Sequence, residues 1–366
     1  MTRVIIFGDL HIHAHKKNVS RIDDCLQVLD WVYDIALSNN IKHILFLGDL
    51  FQDRQKIDVL AYQKTFETFA KYSKKDVHTY LLIGNHDMYY ADRWDINSVA
   101  PLFIIPNVDV VSAPTTIHIG GENRIHALDF LPYTSNPIRD LEKLSGGEKR
   151  EFLGAHMSVD GAKLNSYGSE ADVIVEHDGD MVKVTKDVFS QWEHVFLGHY
   201  HRPQRLDKNI EYVGSPLQLN FGEANQEKHI CIFDLDTKER QYVKNTFSPK
   251  HLLIPQSKIK EHDLNGNFVR ILSEDVASTE TLELQKEIRK NNNVKSLEIR
   301  QAHKPVENDH VIKDATAILL KEDEMIEKYI KDQEEQDDSP IKDLDEKLLL
   351  EIGKSICEEA GSVLQV

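Results

Sequence analysis

Cysteine is scarce in this chain: three in 366 residues, at Cys25, Cys231 and Cys357. An odd, widely spaced set excludes a disulfide-stapled framework and fits a reducing compartment. No apolar run is long enough to cross a bilayer, and no leader-like segment precedes the first apolar run, so a soluble, cytoplasmic protein is expected. Positive charge is short as well. Lys and Arg number 44 against 61 Asp and Glu, for a net charge of −17. That excludes a basic stripe of the kind that holds nucleic acid strongly by counterion release, so most non-specific affinity would have to come from a partner. The deficit is uneven: from Pro305 onward 18 acidic residues face 7 basic ones, leaving about −6 on the rest. The length leaves room for one large domain plus appendages.

Against these absences stand five short blocks, in order, within the first 201 residues. They are Asp9-Leu10-His11, Gly48-Asp49, Gly84-Asn85-His86-Asp87, a lone His156, and Gly198-His199-Tyr200-His201. Short apolar runs ending in Gly lead into most of them: Val4 to Phe7, His43 to Leu47, Thr79 to Ile83, and Val195 to Leu197. Such runs read as buried strands. In sheets with helical crossovers, active groups gather at the carboxyl ends of strands. Phe152-Leu153-Gly154-Ala155 likewise runs into His156. His13 and His15 read as solvated or nucleic-acid-facing extras, and His118, His126, His177 and His194 as structural.

Two Asp, one Asn and four His, with His86 and Asp87 left over, form the inventory of a binuclear metal site. Cleaving a phosphodiester needs a hydroxide near neutral pH and something to absorb charge on the phosphoryl oxygens. Two ions roughly 3.5–4 Å apart do both, lowering the pKa of a shared water toward about 7 and clamping the phosphate. No block contains Cys, which argues against a structural zinc site, and the mixed N/O set suits Mn, Fe or Zn.

The order D-x-H, G-D, G-N-H-D, H, G-H-x-H resembles the calcineurin-like metallophosphoesterases. More narrowly, the chain resembles the SbcD family of DNA repair nucleases, through Gly48-Asp49-Leu50-Phe51 and through Tyr212-Val213-Gly214-Ser215-Pro216 after the last block. The resemblance implies an α/β fold: a two-sheet metallophosphoesterase sandwich flanked by helices, with a small α/β cap domain and a C-terminal helical tail. It implies that Asp49 bridges two divalent ions, most readily Mn²⁺. Asp9, His11 and His201 would complete one ion's protein ligands, and Asn85, His156 and His199 the other's. His86 would face the phosphate and help protonate the leaving oxygen, with Asp87 orienting its ring. Where the family often has a His four residues after the Gly of the second block, this chain has Gln52, a departure that bears on substrate positioning.

The implied activity is a deoxyribonuclease, an exonuclease on duplex ends and an endonuclease on single strands, working on DNA with an SbcC-like coiled-coil ATPase in recombination and repair, as a homodimer. Two other readings stay open: a phosphoesterase acting on nucleotides or phosphoproteins, and a DNA-end tethering scaffold. Lys16, Lys17, Arg21, Arg54, Lys56, Arg93 and Arg202 flank the blocks and are candidates for phosphate contact, or equally a solvated mixed surface.

Three regions are expected. Residues 1–253 form the nuclease domain, with helical spacing over Cys25–Leu37 and Tyr62–Ala70, a hairpin turning at Gly120-Gly121-Glu122-Asn123, and a loop from Ser158 to Asp180. Residues 254–304 form the cap, with strands at 267–272 and 294–300 around a helix at 279–290. Residues 305–366 form an acidic tail of two amphipathic helices, broken at Asp337-Asp338-Ser339-Pro340 and suited to docking on a partner's helices.

Overall fold

A computed structural model describes residues 1–14, 19–90, 92–120, 124–164, 173–177, 180–274, 276 and 279–302. The expectations for Lys16 and Lys17, for His15, for the turn residues Gly121, Glu122 and Asn123, and for the tail from 305 fall outside the described residues.

The first sheet contains β1 (Arg3–Phe7), β2 (His43–Phe46), β3 (His78–Leu82) and β4 (Val108–Val111), all parallel. The second contains β5 (Thr115–Gly120), β6 (Ile125–Leu131), β7 (Arg150–His156), β10 (Trp192–Gly198), β11 (Gln204–Arg205) and β12 (Ile210–Tyr212), with β6, β7, β10 and β12 parallel; between β7 and β10 lies a small hairpin of β8 (Ile174–His177) and β9 (Asp180–Lys183). The antiparallel pair β13 (His229–Asp234) and β14 (Arg240–Lys244) returns to complete the first sheet, in the order β14-β13-β1-β2-β3-β4.

Alternation along these strands explains the layers. In β1 and β2, Val4, Ile6 and Leu45 face inward, joining Phe130, Phe152, Phe196 and Phe233 in the core between the sheets. The intervening Ile5, Phe7, Ile44 and Phe46 face outward onto helices α1 (Ser20–Ser38) and α2 (Val59–Tyr72). A strand buried on both faces must read as a continuous apolar run, and these do. Helix α1 buries Ile22, Cys25, Val28, Leu29, Val32 and Ala36 on one stripe, each larger aliphatic worth roughly 1.5–3 kcal/mol relative to exposure. Helix α2 starts where the Asp58 carboxylate accepts from the backbone N–H groups of Leu60 and Ala61 at 2.9 and 3.1 Å. Helix α3 (Pro137–Ser145) covers the outer face of the second sheet; Asn136 caps it, and Gly146 ends it at φ 60°.

The expected hairpin is present as β5 and β6, registered Gly120 to Ile125. The expected loop from Ser158 to Asp180 is corrected: β8 occupies its last part, because Val175 on β8 and the adjoining Val173 pack on the outer core of the second sheet.

A third sheet has three parallel strands, β15 (His251–Pro255), β16 (Phe268–Ser273) and β17 (Ser296–Gln301), with α4 (Thr279–Asn291) as the crossover between the last two. It has its own small core of Ile254, Leu264, Val269, Ile271, Ile288 and Leu297. The boundary expected between 253 and 254 falls inside β15. The physical reason is that His251, polar in sequence, is buried with its ring stacked on Phe268 at 4.7 Å. Met1–Ala302 forms one compact unit. Among the described residues no helix is long and apolar enough to cross a membrane.

Candidate metal centre

Every block lies at the carboxyl end of a parallel strand. Asp9 and His11 follow β1, Asp49 follows β2, Asn85 to Asp87 follow β3, His156 ends β7, and His199 and His201 follow β10. The chain must turn sharply there, and four of these residues take left-handed backbone angles: Asp9 (φ 57°), His11 (φ 47°), Asp49 (φ 58°) and His199 (φ 99°). Non-glycine residues rarely hold such angles unless the surroundings enforce them. Glycines make the approach possible. A Cβ on Gly48, itself at φ 95°, would lie 2.5 Å from His156 Nδ1, and one on Gly84 would fall on the Asp49 carboxylate.

The donor atoms converge in groups. Ligand atoms of Asp9, His11 and His201 lie within 4.8 Å of one another, as do those of Asp49, His156 and His199. Asp49 joins the groups: its Oδ2 is 3.4 Å from both His11 Nε2 and His156 Nε2. Asn85 Oδ1 sits 2.9 Å from His156 Nε2 and from His199 Nδ1. All seven residues named as ligands from the sequence are therefore brought together.

Hydrogen bonds behind the cluster select which ring nitrogen each histidine presents. His156 Nδ1 donates to the Leu47 carbonyl at 2.7 Å and His201 Nδ1 donates to Glu223 Oε1 at 3.0 Å, which turns both Nε2 atoms toward the cluster. Assigned this way, His201 Nε2 and His11 Nε2 face each other at 3.0 Å. Two imidazole nitrogens aimed at one point, beside an Asp9 Oδ2 that is buried without a hydrogen-bond partner among the described residues, suit a cation between them.

The electrostatics agree. Burial pushes the Asp9 carboxyl up to about 6, though His156 and His201 oppose it. Burial also works against the Asp49 charge, but His156, His11 and His86 hold that carboxyl well below its usual range. His156 is pushed up to about 9 by Asp49 and Asp9 in spite of burial, and His201 is raised by Glu223 and Asp9. Burial forces His11 well down and His199 down to about 3. The buried carboxylates thus favour positive charge on the neighbouring imidazoles, a demand that divalent ions would meet. The donor set fits such ions.

His86 lies within the same 4.8 Å grouping as His11 and Asp49. Its ring is oriented differently from the expectation. His86 Nδ1 donates to the Gln52 backbone carbonyl at 2.6 Å, leaving Nε2 to act. Asp87 makes no contact with that ring. Its carboxylate accepts from the backbone N–H groups of Asp49 (2.8 Å), Leu50 (3.0 Å), Phe51 (3.2 Å) and Gly84 (3.0 Å), tying the second block to the third. Burial and the adjacent Asp49 push the Asp87 carboxyl up to about 7, against these four donors, which favour its charged form. The expected role of Asp87 in orienting His86 is corrected to that of a loop clamp.

The sequence reading missed Glu223 and Lys228. Lys228, only 5% exposed, donates to Glu223 Oε2 (2.7 Å), the His201 carbonyl (2.7 Å) and Ser215 Oγ (2.9 Å). A lysine and a glutamate five residues apart in a Gly- and Asn-containing stretch read as surface, and only the fold buries them. Arg21, expected beside the blocks as a phosphate contact, is buried and donates to the Gln218 carbonyl at 2.9 Å. Arg93 is paired with Asp95 at 2.6 Å. His126 is structural, held between Glu151 and Asp236 at 3.0 Å each.

Residues 2–230 match the family of calcineurin-like phosphoesterases. The chain belongs to that family. It is 23% identical over 287 residues to exonuclease subunit 1 of Enterobacteria phage T4, covering 75% of this chain and 77% of that one. It is 25% identical over 262 residues to the SbcD component of the SbcCD nuclease of Bacillus subtilis, covering 63% and 66%. The Escherichia coli K12 protein of the same name is 21% identical over 283 residues, covering 68% of each. The chain is thereby a phosphoesterase, a hydrolase acting on ester bonds of phosphate.

Proposed function

We propose that this chain is a Mn-dependent DNA nuclease of recombination and repair, the phosphodiesterase component of a complex with an SbcC-like ATPase. The observation that carries it is the convergence of seven N and O donor residues, Asp49 among them, from five strand ends, in a chain whose relatives are named as nucleases. Asp9, His11 and His201 would hold one ion and Asn85, His156 and His199 the other, with Asp49 placed to serve both. Two divalent ions there supply the charge that binds a phosphate and the acidity that lets a water attack it near neutral pH.

The protein's own groups do the rest. His86, whose Nδ1–H is held by the Gln52 carbonyl, turns its Nε2 side toward a phosphoryl oxygen and, starting as the imidazolium, delivers its Nε2 proton to the leaving 3′ oxygen and is left neutral. Asp87 keeps the second and third blocks in register so that Asp49 and Asn85 meet. The two-sheet part up to about residue 250 is the nuclease domain, the sheet of β15, β16 and β17 a cap over the DNA, and 305–366 an acidic tail that docks on the ATPase; the protein works in the cytoplasm as a homodimer, as an exonuclease on duplex ends and an endonuclease on single strands.

The test is Mn²⁺-dependent cleavage of labelled linear duplex and circular single-stranded DNA, with His86→Ala beside wild type. Cleavage by wild type, lost in a variant that still binds metal, supports the reading. Turnover of a small phosphomonoester with no cleavage of either DNA overturns it.

A further inference from the structure

The third sheet and the turn after β12 enclose a cavity of about 420 Å³ that shares no residue with the metal cluster. Its volume lies within the range of small-molecule sites. Arg21 lines it from the first turn of α1 and is 2% exposed. One guanidinium nitrogen of Arg21, Nη2, donates to the Gln218 carbonyl; the other, Nη1, is buried with no hydrogen-bond partner among the described residues. None of the described carboxylates forms a close ion pair with Arg21; the nearby Asp24 carboxylate acts on it only through space and is itself paired with Lys295. A guanidinium stays charged at any physiological pH, and a buried charge without a counter-charge is costly.

Two further arginines line the same cavity. Arg270 lies 3.9 Å over the Phe221 ring and donates through Nε and Nη2 to Glu298 Oε2 at 3.1 and 2.9 Å. Arg300 approaches the same oxygen at 3.4 Å. Three guanidinium groups and one carboxylate, Glu298, thus line the cavity, a local positive excess in a chain with a net charge of −17. The rest of the wall is partly apolar, with Phe221, Phe268 and Leu219.

We propose that this cavity binds a phosphate-bearing ligand of mononucleotide size. Guanidinium forks match phosphate oxygens in geometry and charge, and a phosphate oxygen supplies the hydrogen-bond acceptor that Arg21 Nη1 lacks among the described residues. The aromatic and aliphatic wall receives the nucleoside part, which inorganic phosphate would leave uncovered. The choice of a nucleoside monophosphate rests on the nuclease reading, since hydrolysis of DNA ends generates such molecules. The site is also joined to the metal cluster through hydrogen bonds. Leu219 N and Asn220 Nδ2, on the cavity wall, donate to Glu223 at 3.1 and 3.4 Å, and Glu223 accepts from His201.

The experiment is isothermal titration of the full-length, Mn-loaded protein with dAMP and, separately, with inorganic phosphate. Wild type is compared with Arg270→Gln, Arg300→Gln and Ser296→Tyr, the last of which narrows the cavity without removing a charge. Each variant is expected to weaken dAMP binding about tenfold or more, from the loss of a charge-assisted hydrogen bond or of space. Hydrolysis of bis(p-nitrophenyl) phosphate is expected to stay at the wild-type rate in all three, showing an intact fold and metal centre. Phosphate alone is expected to bind more weakly than dAMP and to lose affinity in the two arginine variants. An unchanged dAMP isotherm in the three variants, or phosphate binding as tightly as dAMP, overturns the proposal. DNA cleavage by wild type is assayed beside the titration. Its absence overturns the nuclease reading while leaving the binding result to stand or fall on its own.

Discussion

Replacing Lys228 with Met removes a charge from behind His201 while keeping a side chain of similar length. In the native protein the ammonium group serves Glu223, the His201 carbonyl, Ser215 and, at 3.1 Å, Gln226. The substitution leaves the Glu223 carboxylate, itself 5% exposed, without its cation. Breaking a buried ion pair from one side costs about 3–5 kcal/mol. At roughly 2 cal/mol/K of unfolding entropy per residue, the unit Met1–Ala302 carries about 0.6 kcal/mol/K, so Tm falls by about 5–8 °C. Glu223→Gln costs a similar amount, and the double variant, having no orphaned charge, is less destabilised than the sum of the two by about 2 kcal/mol. Affinity for the ion assigned to His201 falls about 10–100-fold, while the ion assigned to Asn85, His156 and His199 stays bound.

The acid limb adds a second readout. Burial opposes the Glu223 charge, but His201 and Lys228 hold its carboxyl down to about 2; Lys228, with Glu223 as its largest favourable influence, is lowered by burial. A depressed carboxyl stabilises the fold above its unfolded value of 4.5 and loses that contribution as pH falls toward 2. The Tm difference between wild type and Lys228→Met therefore narrows across that window. Thermal melts and Mn²⁺ titrations of the two single variants and the double variant are the assay. A Tm loss under about 2 °C in Lys228→Met, or strictly additive costs, would refute the reasoning.

Asp87→Asn puts an amide NH₂ against two backbone N–H donors and is expected to cost about 2 kcal/mol at pH 8, measured by denaturant unfolding, with no shift in the pH profile of cleavage. A displaced pH profile with unchanged stability would return Asp87 to the role of a partner for His86. Gly84→Ala drives a methyl into Asp49 and is expected to weaken Mn²⁺ binding at least tenfold by titration, because about 1–3 kcal/mol of overpacking falls on the shared carboxylate. Unaltered metal affinity in that variant would show the two loops to be pliant.

The site was legible because each ligand follows an apolar run at a strand end, and the strand-end rule does not depend on knowing the strand order. The two-sheet arrangement was legible only through the resemblance. Nothing local in Val4–Phe7 or Val195–Leu197 says that β1 and β10 belong to different sheets facing across Phe196 and Phe233. What failed did so where polar residues are buried by tertiary contacts. His251 sits inside a strand, Lys228 and Arg21 are interior, and Asp87 commits its oxygens to backbone groups rather than to the ring beside it. Helix α3 went unread, although Asn136-Pro137 and Gly146 mark both its ends, because its stripe is only three aliphatics long, Ile138, Leu141 and Leu144, over nine residues.

The central claim is a binuclear centre built on Asp49. It is tested most directly by counting Mn per chain, by mass spectrometry after equilibrium dialysis, in wild type and in Asp49→Asn. The account predicts two ions in wild type and fewer than one in the variant, whose fold is checked by circular dichroism. One ion in wild type, or two retained by a folded Asp49→Asn, would contradict it.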